Sequence, residues 1–189
     1  MTLKQIYSIA THHQRSARID VDLTPDFFDG LVYHGTAQRT IETICGQYRQ
    51  AGQRAFTVTG PYGSGKSTIT LLISGLLHPH ANIREAARAS ICRAFTATMN
   101  PLKIFDSSFK IDKGWVIIRA VGGSASPVNC LWRATISALD EHPNLKAIAD
   151  SCRTKAPADE HELVGLWDEM FSVLSDKTDG VFTLADEMG

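Results

Sequence analysis

Lys66 and Ser67 close the segment Gly60-Pro61-Tyr62-Gly63-Ser64-Gly65-Lys66-Ser67, and Thr68 extends it. The spacing is GxxxxGK[ST] without exception, a match that chance would give a chain of this length on the order of 1% of the time. The chemistry it points to is phosphate binding. Gly60, Gly63 and Gly65 let the main chain turn so that successive N–H groups face an anion. A helix beginning near Lys66 aims the positive end of its dipole at the same anion. Lys66 would reach the β- and γ-phosphates of a nucleoside triphosphate, and Ser67 Oγ would be a ligand of Mg²⁺. Pro61, Tyr62, Ser64 and Thr68 need only fit around the phosphates. A glycine-rich turn without a ligand would account for the glycines, but it leaves the lysine with no packing role.

A phosphate loop leaves the metal and the attacking water unassigned, and the run Val181-Phe182-Thr183-Leu184-Ala185 ends on the groups that are missing. A carboxylate at the tip of a central strand, Asp186, can hold the waters of Mg²⁺. The next carboxylate, Glu187, can orient or deprotonate the attacking water. Strands also end in acids simply because they reach solvent, so this pair draws its weight from the loop upstream. Other residues carry weaker signals. His12, His13, His78, His80 and His142 have no carboxylate or cysteine at metal spacing and are expected in loops. Arg119 and Arg133 could touch phosphate, although arginines at element ends more often form surface ion pairs. Cys45, Cys92, Cys130 and Cys152 form no CxxC pair, which predicts reduced and mostly buried thiols.

The elements that must position these groups read as strand, loop and helix. Ala55–Thr59 (AFTVT) is a β-rich run directly before the glycine loop, and the segment from Ser67 (STITLLISGLL) has the apolar content of a buried helix. Upstream, Ser16–Leu23 (SARIDVDL) alternates like a short strand, and Thr36 can cap a helix whose stripe is Ile41, Ile44, Cys45 and Tyr48, stopping near Gly52. Downstream, Ala81–Met99 reads as a helix ended by Asn100-Pro101. Trp115–Val121 reads as a strand, Val128–Leu139 as a helix with Ser126 as cap and Pro127 in its first turn, and His161–Leu174 as an amphipathic helix. Trp115, Trp132 and Trp167 are expected in the core. Strands alternating with helices predict an α/β fold with a mostly parallel sheet covered on both faces. We divide the chain into a lead-in, residues 1–35, and a nucleotide-binding domain, residues 36–189.

GPYGSGKST together with VFTLADE resembles the additional-strand, catalytic-glutamate class of P-loop ATPases, which includes the AAA+, STAND, RecA-like and ABC families. The resemblance spans Ala55 to Glu187, and the lead-in with LVYHGTAQRTIETI is similar to the start of large bacterial ATPases of defence or mobile-element type. It implies a three-layer P-loop sandwich, ATP and Mg²⁺ as ligands, and Lys66 and Glu187 as catalytic groups. It also implies an adenine contact from the segment around Tyr33, for which simple packing is the competing reading. No LSGGQ-like signature is present, which sets the ABC branch apart. Asp186-Glu-Met-Gly189 fits a GTPase DxxG, but no NKxD motif accompanies it, so ATP is favoured over GTP. The resembled domains continue beyond their second acidic motif, so the sheet is expected to be incomplete at the C-terminus, with self-association or a further part of a larger ATPase covering its edge.

Bulk properties narrow the classes. The chain has 189 residues, 43% of them hydrophobic, and a formal net charge of −1. That suits one domain with a sizeable core and argues against a globally basic nucleic-acid binder. Residues 81–120 are nevertheless basic and residues 140–189 acidic, which keeps a nucleic-acid or partner contact open while few aromatics stand near the basic stretch to stack bases. No apolar run is long enough for a signal peptide or a membrane span, and a cytoplasmic location is expected. The leading expectation is a Mg²⁺-dependent ATPase domain that converts nucleotide state into conformational change or assembly. A non-hydrolysing nucleotide switch and a P-loop kinase are the alternatives.

Overall fold

A computed structural model describes residues 16–95, 100–123 and 125–186. Among them a short helix α1 (Pro25–Phe28) is followed by α2 (Gly35–Gln50), α3 (Lys66–Leu77), α4 (Ala81–Cys92) and α5 (Lys103–Ser108). Strand β1 (Trp115–Val121) leads into α6 (Pro127–Glu141), α7 (Lys146–Arg153), α8 (Glu160–Leu174) and strand β2 (Gly180–Asp186). The fold is therefore mixed helix and strand. Its described sheet has two parallel strands in register from Trp115 opposite Gly180 to Val121 opposite Asp186.

The sheet divides the apolar side chains because alternate residues of a strand face opposite sides. Trp115 and Ile117 join a cluster with Leu71, Leu72, Leu76 and Leu77 of α3, Ile41 of α2 and Phe105 of α5. Val116 and Ile118 join a second cluster with Trp132 and Leu139 of α6, Cys152 of α7 and Leu163, Met170 and Leu174 of α8. β1 is almost wholly buried because helices cover both its faces. α3 is apolar on nearly every side and is buried from Leu71 to Leu77. Each fully buried leucine there contributes about 1.5–3 kcal/mol of transfer free energy, which fixes the helix that carries the glycine loop at its start.

Several expectations need correction. Residues 16–23 do not form a strand: the Asp22 carboxylate accepts a hydrogen bond from Arg18 N at 2.7 Å and closes a turn. Ala55–Thr59 is extended but unpaired. Among the described residues no backbone–backbone hydrogen bond reaches residues 54–59, whose alternation leaves Phe56 and Val58 half-buried beside a cleft of about 450 Å³ against α2. α2 starts one residue before Thr36, which does not cap it; His34 holds the N-cap position without a side-chain bond. The helix expected over 81–99 ends at Cys92, and its last four residues lie outside the described ones. α5 and α7 were not expected. α8 starts one residue before His161, because Asp159 accepts from Glu162 N at 2.9 Å while the Glu162 carboxylate accepts from Ala158 N at 2.8 Å, a reciprocal cap. Cys45 and Cys152 are buried, Cys92 is exposed and Cys130 intermediate, and all four are free thiols.

The histidines expected in loops include a buried group. His78 and His142 are only 3% and 1% exposed. His78 Nδ1 accepts from His80 N at 3.1 Å, and Arg84 Nη1 donates to the His78 and Pro79 carbonyls at 2.6 and 2.7 Å. His80 Nε2 lies 2.8 Å from the Glu141 carbonyl oxygen, and the Glu141 carboxylate pairs with Arg119. His142 Nε2 is buried without a hydrogen-bond partner among the described residues. Burial in this cationic neighbourhood pushes the His78 imidazole down to about 3, with His80, Arg119, Arg84 and His142 adding to the effect. Burial also lowers His142, against the raising influence of main-chain groups at Gly114 and Lys113.

Candidate functional site

The loop has the backbone its glycines predict. Gly63 and Gly65 sit at φ +77° and +82°, left-handed values that a side chain makes costly. Gly65 is the N-cap of α3, so the helix begins at Lys66 as expected. The amides of Lys66, Ser67 and Thr68 have no acceptor among the described residues, whereas Ile69 N already reaches Gly65 O at 2.9 Å. Three orphan donors thus open at the positive end of a helix whose other end is anchored in the core, the arrangement that binds an anion. A Cβ on Gly60 would lie 2.9 Å from Ser64 Oγ, the end of an exposed side chain that can rotate aside.

Lys66 folds back over this turn, its Nζ donating to the Gly60 and Pro61 carbonyls at 3.0 Å each. Those two acceptors hold the ammonium against the loop's own main chain. Pro61, Tyr62, Gly63 and Ser64 are exposed. Tyr62 is 90% exposed and its hydroxyl lies 3.0 Å from Ser16 Oγ, which brings the lead-in to the loop.

Ser67 Oγ donates to Asp186 Oδ2 at 3.3 Å across 119 positions of sequence. β2 carries Asp186 to this point because β1 and β2 run parallel, and Gly122 N donates to Asp186 O at 2.8 Å to continue the ladder past Val121. A hydroxyl and a carboxylate side by side at the edge of the glycine loop are hard oxygen donors of the kind Mg²⁺ takes, with water completing its shell. The two residues fit that ion.

The remaining candidates separate from this centre. Glu187 lies outside the described residues. Tyr33 is 9% exposed and belongs to the core, its ring 5.9 Å from that of Phe95, where burial raises its phenol to about 12; the packing reading accounts for it. Thr68 sits half-buried in the first turn of α3. Arg119 is committed to Glu141, and Arg133 is exposed on α6. The Tyr62–Ser16 contact was missed by sequence reasoning, and no pattern signals it. Comparison with protein families, curated proteins and solved structures finds no match to this chain. No helix among the described residues is long and apolar enough to cross a membrane.

Proposed function

We propose that the chain is the ATP-binding domain of a Mg²⁺-dependent P-loop ATPase with a three-layer fold, acting in the cytoplasm. The observation that carries this reading is the 3.3 Å contact between Ser67 of the phosphate loop and Asp186 at the tip of β2. In this reading the free amides of Lys66 to Thr68 cradle the phosphates, and Lys66 leaves the Gly60 and Pro61 carbonyls to neutralise the γ-phosphate. Ser67 and Asp186 would hold Mg²⁺, which when bound offsets phosphate charge. Glu187, the residue after Asp186, is the candidate for orienting the attacking water. The catalytic contribution is positioning and fixed charge.

The test is triphosphate binding and turnover by the purified chain. Replacing Lys66 with Ala removes charge-assisted hydrogen bonds worth about 1.5–3 kcal/mol, so ATP affinity should fall roughly 10- to 100-fold. Undiminished ATP binding and hydrolysis by Lys66→Ala would overturn the assignment. The exposure of residues 61–64 favours a second reading, a nucleotide switch that turns over slowly, because fast hydrolysis needs one positioned water with bulk solvent excluded. A Glu187→Gln variant separates the two. It traps bound ATP in an ATPase and changes nothing in a switch whose turnover is already negligible.

A further inference from the structure

α6, α7 and α8 cover one face of the sheet, and the last two leave a gap between them. Among the described residues each packs on α6 and at most marginally on the other. The gap is a cavity of about 300 Å³ that opens to solvent. One wall is α7, where Ile148 and Cys152 stand one turn apart; the other is α8, where Leu166, Met170 and Val173 follow the three- and four-residue steps that share a helix face. Trp132 of α6, Cys152 and Met170 are buried members of the core on this side and form its depth. Indole, thiol and thioether make a soft, polarisable surface, and an unbranched methionine adapts to the shape that enters. Burial raises the Cys152 thiol, against the lowering influence of the Lys155 charge, and keeps it an apolar group.

The rim carries one charge of each sign. Lys155 Nζ donates to Glu169 Oε2 at 3.0 Å, linking the end of the α7 wall to α8, and these two are the charged residues of the lining. The main chain at Lys155 is fixed, because Trp132 Nε1 donates to Lys155 O at 2.8 Å and Lys155 N donates to Cys152 O at 3.0 Å. Arg153 is turned to Asp140 and Asp150, which lie outside the lining. The Lys155 and Glu169 side chains are 44% and 71% exposed, so their pair adds little to the fold and opens at little cost.

We propose that this cavity binds a large apolar α-amino acid, such as phenylalanine, leucine or methionine. Its side chain fills the space over Trp132 and Met170, its carboxylate pairs with Lys155, and its ammonium pairs with Glu169. The charge pattern decides among occupants. A molecule carrying only an acid takes Lys155 and leaves Glu169 facing a like charge, and an amine alone does the reverse. A neutral apolar molecule gains nothing from the rim. A zwitterion exchanges one ion pair for two, each a charge-assisted hydrogen bond. The size agrees, since about 300 Å³ lies at the lower end of small-molecule pockets. The cavity lies on the opposite face of the sheet from α3 and owes nothing to the proposed nucleotide site.

NMR titration of the full chain with L-phenylalanine, L-leucine and L-methionine tests this, read at the Trp132 indole N–H and the Met170 methyl. Saturable shifts are expected, with dissociation constants in the millimolar range or tighter, the strength a ligand of this size attains in an open cavity. Phenylpropionate, phenethylamine and N-acetylphenylalaninamide, which lack one or both charges, should each bind at least about tenfold more weakly than phenylalanine. Lys155→Met and Glu169→Gln should weaken phenylalanine binding by a similar factor and leave the melting temperature of the free protein near that of wild type, because both positions are exposed. Absence of shifts with all three amino acids at about 20 mM would overturn the proposal. So would single-charge analogues that bind as well as the zwitterion, or undiminished binding by both variants, because the cavity would then take any apolar group. N-acetylphenylalaninamide binding as tightly as phenylalanine would reassign the cavity to a peptide side chain and refute the amino-acid site.

Discussion

Protonation of His78 should set the acid stability of this fold. Its imidazole is 3% exposed, accepts a hydrogen bond from His80 N, and is surrounded by Arg84, Arg119, His80 and His142. The folded value of about 3 lies below the ordinary 6.5, so the unfolded chain binds a proton that the folded chain refuses. Stability from this residue is complete above pH 6.5 and is lost as pH falls from there toward 3, at about 1.4 kcal/mol per pH unit. From above pH 7 down to about pH 5 that amounts to about 2 kcal/mol, and His142, lowered by the same burial, adds to it. Urea unfolding at several pH values in this window measures the loss before most carboxylates titrate. Replacing His78 with Asn keeps an acceptor for His80 N and removes the titration, so the variant should lose about 2 kcal/mol less than wild type across the window. Equal pH slopes in the two proteins, or an NMR titration of His78 near 6.5, would refute the reasoning.

If Asp186 holds Mg²⁺ as proposed, replacing it with Asn should weaken ATP binding at least about tenfold in the presence of Mg²⁺ and little in EDTA, measured by calorimetry under both conditions. A Cβ on Gly75 would stand 2.4 Å from Phe28 Cζ and 2.9 Å from the Ala87 Cβ. Overpacking of about 1–3 kcal/mol should outweigh the gain in helix propensity of up to about 1, so Gly75→Ala lowers the melting temperature. Asp159→Ala removes the cap of α8 and should cost about 1 kcal/mol in chemical denaturation.

What could be read in advance follows the range of the forces involved. β1 and β2 are apolar runs bounded by glycines and acids, and α6 and α8 hold their period long enough to be seen. The six-residue α5 and eight-residue α7 span two turns or so, too short for a period of 3.6 to stand out. Ala55–Thr59 has the residues of a strand, but pairing is a property of a neighbour, and none of the described residues supplies it. SARIDVDL alternates correctly for a strand, yet one carboxylate of Asp22 bonded to a nearby amide is enough to turn it. The loop's glycines and lysine were legible because their geometry is local. The approach of Ser67 to Asp186 was anticipated only as a pairing of chemical types, and its distance depends on how α3 and β2 pack. The histidines looked like loop residues because sequence separates His78 from His142 by more than sixty positions, while the ends of α3 and α6 bring them into one group.

The unpaired segment 54–59 and the buried helix α3 give the glycine loop one yielding side and one rigid side. Where ordinary strands are held by ladder bonds, this segment can open at little free-energy cost, whereas α3 opens only with the core. A bound phosphate would then draw part of its binding energy into ordering the peptide upstream of Gly60, so the affinity measured is lower than the contacts alone would give. Anything that paired this segment as a strand would meet that ordering cost beforehand, and nucleotide affinity would report on whether residues 54–59 have found a neighbour.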